Sequence, residues 1–240
     1  MKRVYSVVQW FRAALVVLPL LFTGCMKGGD MLDPEMVQYS YLMDAGESLA
    51  VGTVRVREER WYVQLDEKTA GYVANQSKVR DIADGTRVCL QFRYVVGYMP
   101  DFCTDAILVE WISPIEVGEI RLTMDAPQGE PISIVNDWIT SLEDGFLTLH
   151  YRIQSKGKAA HTFALYPGAK SDEFRLVHEA HGDSEGDLVD GIVCFPVSSF
   201  DSIMSGSNVG SDGNLNSVTI SYLNIDNTQK TLTFESRNPQ

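Results

Sequence analysis

The sequence predicts an all-β protein, a small OB-like barrel followed by an antiparallel β-sandwich. Three observations carry this expectation. Apolar and polar residues alternate with period two in many short runs, turn residues punctuate those runs at short intervals, and no stretch has the spacing of a convincing amphipathic helix.

The first group of strands lies within residues 49–115, assigned to the barrel domain. Val51, Val54 and Val56 lead into a Glu58-Glu59 turn, residues 61–65 continue with β-formers, and residues 69–74 follow a charged break. After a polar connection over 75–85, the segment RVCLQFRYV sets Val88, Leu90, Phe92 and Tyr94 on one face and Cys89, Gln91 and Arg93 on the other, the pattern of a half-buried strand. Its partner is TDAILVEWI. Short strands packed this densely along the chain fit a closed barrel of the OB type, although the pattern alone also allows another small β-barrel. Arg55, Arg57 and Arg60 are read as a solvated strand edge in preference to a binding face, because local charge is nearly balanced.

Residues 116–240 form the second domain. Residues 116–130 read as a connector with a strand over 119–124. Residues 132–135 and 138–142 flank Asn136-Asp137, and Asp144-Gly145 is a turn signal. Beyond it Leu147, Leu149, Tyr151 and Ile153 alternate with Phe146, Thr148, His150 and Arg152. Further strands are expected over 160–166, 174–179, 189–197, 218–225 and 231–235, a spacing that fits an antiparallel sandwich. Trp61, Trp111 and Trp138 fall in strand patterns and are expected in the core.

Ahead of the barrel, Lys2, Arg3 and Arg12 accompany an apolar run over 13–22 broken only by Pro19, so residues 1–24 read as a signal peptide. The run is too short for a transmembrane helix, which needs about 20 apolar residues. Leu21-Phe22-Thr23-Gly24-Cys25 resembles the lipobox of bacterial lipoproteins and makes Cys25 the expected lipidation site. Several acyl chains, each stabilised by about 0.8 kcal/mol per buried methylene, give lasting attachment where one chain would not. Residues 25–48, with Gly28, Gly29, Asp30, Pro34 and Gly46, read as a tether in which Tyr41 and its neighbours dock on the body behind them. The expected location is the cell envelope, at the outer membrane of a Gram-negative bacterium, with the membrane as one partner and an envelope protein as the other.

Three of the 20 basic side chains and none of the 32 acidic ones lie in the first 24 residues, so cleavage takes the net charge from −12 to −15. Phosphate backbones need clustered Lys and Arg, which excludes nucleic acid as a partner. After Cys25 there remain Cys89, Cys103 and Cys194, an odd number that makes no disulfide framework. Cys89 and Cys103 flank a hairpin whose turn includes Gly97 and Pro100. A cross-strand bridge between them is one reading and two buried thiols the other.

The best candidate for chemistry is the run His178, His181, Asp183, Glu185, Asp187 and Asp190. Alternate carboxylates in a Gly-containing loop suit Ca²⁺, but the spacing is not that of an EF-hand, and an acidic hairpin loop explains the same residues. Zn²⁺ on His178 and His181 fits less well, since positions three apart on a strand face opposite ways. No nucleophile elbow surrounds any serine, Ser205-Gly206-Ser207 has the composition of a loop, and no Gly-rich phosphate loop opens a helix. The expectation is a binding protein without catalytic residues or cofactor; the alternative is a glycan-binding or metal-dependent module using residues 183–190.

The segments GEPISIVNDWITSLEDGFLTLHYRI, FRLVHEAHGDSEGD and GIVCFPVSSF, preceded in order by WYVQLDEKT, DGTRVCLQFRY and VEWISPI, resemble the NigD-like proteins, a lipoprotein family of Bacteroidales bacteria. The resemblance runs from about residue 49 to 235, and the second histidine of HEAHGD departs from it. It implies an N-terminal OB-like domain, a C-terminal β-sandwich and a role linked to bacteriocin immunity, and it supplies no catalytic residue.

Substituting Cys25→Ser is expected to turn a protein that needs detergent into a soluble or uncleaved one without altering its fold. Acyl chains absent from the wild type by mass spectrometry, with unchanged membrane fractionation of the variant, would exclude the anchor.

Overall fold

A computed structural model describes residues 40–41, 46–170, 172–200 and 217–237. Cys25, the rest of the expected signal and most of the expected tether, and Ser205-Gly206-Ser207 lie outside the described residues. Among those described, strands dominate, with 3₁₀ turns at Gln76–Lys78 and Val197–Phe200, and no helix is long and apolar enough to cross a membrane.

The first unit contains β1 (Ser40–Tyr41), β2 (Ser48–Arg57), β3 (Arg60–Gln64), β4 (Ala70–Val73), β5 (Arg87–Val96) and β6 (Asp105–Pro114). β2 pairs antiparallel with β3 and β5, β3 pairs with β4, β4 runs parallel to β6, and β5 pairs with β6 to close the ring. This is the five-stranded OB-type barrel. β1 adds two residues to the far end of β5, with Ser40 opposite Val96, so part of the stretch read as a tether is sheet. Val88, Leu90 and Phe92 fill the barrel with Val54, Val63, Ile107 and Val109, as the alternation in β5 requires. Asn75 fastens the barrel from outside: its amide donates to Val109 O at 2.7 Å and accepts from Val109 N at 3.0 Å, in place of a strand partner.

One irregularity matters. Between Gln91 and Phe92 the β5–β6 register shifts, because Gln91 faces Trp111 while Phe92 faces Val109. Glu110 is the extra residue of this bulge, and it reverses the alternation of β6. Trp111, expected in the core, therefore points outward and is 48% exposed. Trp138 is 47% exposed for a different reason: residues 137–140 form a bend, and the strand starts only at Ser141.

The second unit contains β7 (Glu116–Val117), β8 (Glu119–Ile120), β9 (Ser133–Val135), β10 (Ser141–Glu143), β11 (Phe146–Ser155), β12 (Thr162–Pro167), β13 (Glu173–Glu179), β14 (Asp187–Pro196), β15 (Ser217–Leu223) and β16 (Gln229–Glu235). One sheet runs β10-β11-β14-β7 with β9 also on β11, and the other runs β16-β15-β13-β12-β8. Their inner faces meet in one apolar layer that includes Leu147, Leu149, Val193 and Phe195 from the first sheet and Phe163, Leu165, Phe174, Leu176 and Ile220 from the second. Most ladders are antiparallel, while β7–β14, β8–β12 and β13–β15 are short parallel pairings. β7 and β8 are two halves of one segment that leaves the first sheet and joins the second within a residue. Gly118 sits at that corner, where a Cβ would collide with the ring of Phe195.

The order of β5 and β6 disposes of the Cys89–Cys103 bridge. Cys89 lies opposite Ser113 at one end of the hairpin, while Cys103 precedes β6 at the other end, where Ala106 faces Val95. At a rise of about 3.4 Å per residue they stand roughly 20 Å apart, well beyond the ~7 Å Cα limit for a disulfide. Cys89, Cys103 and Cys194 are buried free thiols, and burial pushes Cys103 and Cys194 up to about 11.

Barrel and sandwich are joined by a buried arginine. Arg87, 1% exposed, donates from Nη1 to Thr53 in the barrel at 3.1 Å, and across the joint from Nε to Thr148 at 3.3 Å and from Nη2 to Glu143 at 2.8 Å. Burial pulls its pKa down, and the adjoining Glu143 opposes that pull. Arg55 crosses the same joint to Asp144 at 3.0 Å. Replacing Arg87 with Met leaves Glu143 as a buried charge with a much weaker partner, Arg237 at 3.5 Å. The expected loss is about 3–5 kcal/mol, read from urea unfolding, and a further Glu143→Leu change should recover part of it. A single-variant loss below 1 kcal/mol would show that the pair does not hold the joint.

Candidate functional site

A cleft of about 380 Å³ opens where the outer face of the β11–β14 sheet meets the barrel. The barrel supplies Trp111 and Ser113, the joint supplies Glu116, and the sandwich supplies His150, Asp190 and Ile192. Each is aimed by local structure. His150 and Asp190 sit on neighbouring strands two register positions apart and so on the same face, since His150 faces Ile192 and Arg152 faces Asp190. Trp111 reaches the cleft because of the bulge.

His150 is held from both sides, Nδ1 by Asp137 Oδ2 at 2.7 Å and Nε2 by Asp190 Oδ1 at 3.2 Å. Asp137 belongs to the Asn136-Asp137-Trp138 bend, and its other oxygen accepts from Ile139 N at 3.0 Å and Thr140 N at 3.4 Å. Burial pushes the Asp137 carboxyl up, but the bond from His150 and these two N–H groups outweigh it and hold it below the usual range. Thr140 completes the clamp, donating to Val135 O at 2.6 Å and accepting from His150 N at 3.0 Å. Asp190 is also held low, first by a hydrogen bond from Arg152, whose Nη2 lies at 2.9 Å. Glu116 differs, since burial raises it. The cleft therefore has an exposed indole and a fixed His–carboxylate array, with the Glu116 carboxyl also on its lining.

The acidic run 178–190 is not a convergent site. Asp183 is buried, and its carboxylate accepts from Ser155 Oγ at 2.8 Å and from the N–H groups of Lys156 and Lys158 at 2.9 Å each. Burial acts to raise its pKa, but these bonds prevail and hold it far below the usual carboxylate range. Asp183 thus ties down the β11–β12 turn, and Gly186 is needed beside it because a Cβ would strike Ser155 O. Glu185 pairs with Lys156 at 2.8 Å on the surface, and Asp187 begins β14. His178 is buried and stacked on Phe163, with Nδ1 3.2 Å from Pro131 O and Nε2 2.7 Å from His161 Nδ1. The carbonyl only accepts, so Nδ1 of His178 carries the proton and Nε2 takes one from His161. His181 turns away, with φ of 49° and Nε2 3.0 Å from Thr162 Oγ1. Among the described residues no group of three His, Cys, Asp or Glu side chains is placed to hold a metal ion. Composition marked residues 183–190 as an exposed acidic loop; only the positions of Ser155 and the glycines hinted that one of those acids is internal.

The architecture defines a two-part all-β protein, an OB-type barrel locked to a β-sandwich with a cleft at the joint. Residues 116–236 match the family described as NigD-like C-terminal beta sandwich domain, and the chain belongs to the NigD-like family. No curated protein matches it. Among solved structures, a protein of unknown function from Bacteroides vulgatus ATCC 8482 is 19% identical with a TM-score of 0.61, covering 81% of this chain and 92% of its own. A provisionally named toxin-related protein from Parabacteroides distasonis ATCC 8503 is 20% identical with a TM-score of 0.59, over 80% and 95%. A provisionally named lipoprotein from Bacteroides fragilis NCTC 9343 is 11% identical with a TM-score of 0.57, over 81% and 100%. At these identities the likeness is one of fold.

Asp183 gives a pH test. Its folded pKa is depressed, so its contribution is present above the unfolded value of about 3.9 and is lost as pH falls through the folded one. Asp183→Asn should be clearly less stable than wild type at pH 7 in denaturant melts, with the gap closing as pH drops below about 4. A gap that does not change with pH would remove the carboxylate from this role.

Proposed function

We propose that this protein is a lipid-anchored, non-enzymatic binding protein of the cell envelope, at the outer membrane, and that it confers immunity to a bacteriocin by engaging a protein partner. The observation that carries the reading is the cleft at the joint. Its histidine has a carboxylate against each ring nitrogen, which fixes the ring, and its aromatic is displayed at the surface as a contact. Fixed polar groups beside an exposed indole suit recognition, because little ordering entropy remains to be lost on binding. Family membership supports the immunity role, and the lipobox at Cys25 supports the anchor. Residues 116–240 carry eight basic and eighteen acidic side chains. A cationic toxin is drawn to that surface, with an on-rate that falls as salt rises.

The test is deletion of the gene and challenge with bacteriocins from neighbouring strains, complemented by wild type and by a Trp111→Ala, Glu116→Gln variant. Deletion should sensitise the cells, wild type should restore protection, and the cleft variant should restore at most a tenth of it. Unchanged sensitivity to every toxin removes the immunity role. Full protection by the variant moves the contact away from the cleft.

A further inference from the structure

The outer face of the barrel carries a feature that the cleft does not use. β2 meets β5 only as far as Thr53 and β3 meets β4 only from Tyr62 onward, so Arg55, Arg57 and Arg60 are strand-paired on one side only, on the free edge that the sequence reading expected. Arg57 and Arg60 are direct cross-strand partners, and Arg55 and Tyr62 are the next pair on the same face, with Tyr72 opposite Tyr62 on β4. Like charges set directly opposite on a sheet repel. The turn that brings them together is also unfavourable, since Glu58 and Glu59 both have positive φ, 54° and 60°, without a glycine.

The arginines lie on aromatic rings contributed by the loop over 97–104. The guanidinium of Arg57 stands 4.9 Å from the centre of Phe102, and that of Arg60 stands 5.1 Å from Tyr98, whose hydroxyl it also meets. Phe102 packs in turn on Tyr62 at 5.4 Å, and Tyr98 meets Tyr72 edge-on at 6.1 Å. Each guanidinium thus lies over a ring that meets a second ring, tilted for Phe102 on Tyr62 and edge-on for Tyr98 on Tyr72. Arg57 reaches a carboxylate only at 3.8 Å, in Glu58, although acids outnumber bases 32 to 20 in this chain. The side chain of Arg57 is 59% exposed, and Tyr98 is 48% exposed.

We propose that this face binds an oligosaccharide in which neutral sugars alternate with uronates. Aromatic rings beside the face take the C–H surface of a pyranose, and a guanidinium beside each ring takes a carboxylate through paired N–H donors. A wholly neutral glycan offers the two repelling arginines no carboxylate beyond Glu58, 3.8 Å from Arg57. A dense polyanion such as nucleic acid is opposed by the net charge of −12. Carboxylates spaced by neutral rings satisfy both constraints, and the strands of such barrels offer a surface on which oligosaccharides are held.

The probe is a hyaluronan tetrasaccharide, in which glucuronate alternates with N-acetylglucosamine, titrated by calorimetry into the full protein in detergent. Neutral chitotetraose and sodium sulfate serve as comparisons. Sub-millimolar binding of the hyaluronan fragment is expected, with chitotetraose and sulfate each weaker by about tenfold or more. The Arg57→Gln, Arg60→Gln double variant should lose about tenfold, and Tyr98→Ala, in an exposed loop, a few-fold. Absence of binding overturns the proposal, as does binding unchanged in both variants. Chitotetraose binding as well as the hyaluronan fragment would deny the arginines a role, and sulfate competing at equal concentration would deny the rings theirs. If the double variant does not fold, as judged by its circular dichroism, Tyr98→Ala alone decides between the outcomes.

Discussion

A cation that cannot reach water must find its partners in the fold, and Arg87 finds them on both sides of the joint. Thr53 belongs to the barrel, Thr148 and Glu143 to the sandwich, so the guanidinium is satisfied only when the two are docked. The far end of the described chain joins the same node, since Arg237 reaches Glu143 and its N–H donates to Leu142 O at 3.0 Å. Segments distant in sequence are thereby tied to one buried charge. An apolar joint of this size would slip more easily, because hydrophobic contact is not directional and a planar guanidinium is. The cleft depends on that direction: its walls come from opposite sides of the joint, and its width is set by a contact that tolerates little rotation.

A second theme is the use of carboxylates as internal fasteners. Asp137 and Asp183 each gather backbone N–H groups that no strand could satisfy, and each fixes a loop on a histidine-bearing sheet. The acidity of the chain is thus not all surface decoration. Part of it replaces missing main-chain acceptors in the turns of the sandwich, and the rest, on β14 and around 116–119, supplies the field outside.

Local patterning predicted the strands well, because alternation and turns are local. Val88, Leu90 and Phe92 fill the barrel as their spacing demands, and Asp144-Gly145 makes the β10–β11 turn, with φ of 46° and 78°. What was hidden depends on partners far along the chain. Trp111 faces out because of a bulge defined by register against β5, which spacing within β6 does not reveal. Arg55, Arg57 and Arg60 lie on an edge as their sequence suggests, but the rings of Phe102 and Tyr98 that two of them cover come from a distant loop and are invisible from β2 and β3. Arg87 looked like an ordinary charged residue at a strand start, and only the approach of Glu143 explains its burial. Asp183 groups with its acidic neighbours in the sequence because composition does not distinguish an acid that faces N–H groups from one that faces water.

The parallel pairing of β13 with β15 also fixes an order of events in time. Every ladder of the closed barrel joins segments within residues 48–114, so the barrel can form while later residues are still being made. The sandwich has no such freedom, since Glu173 must wait for Thr219 and Leu142 for Ser236. Distant pairings of this kind close slowly. In the interval the finished barrel presents Arg87 with its sandwich partners missing and the inner side of the joint uncovered. The nascent chain is most vulnerable at that moment, and the late arrival of its final strand ends the exposure.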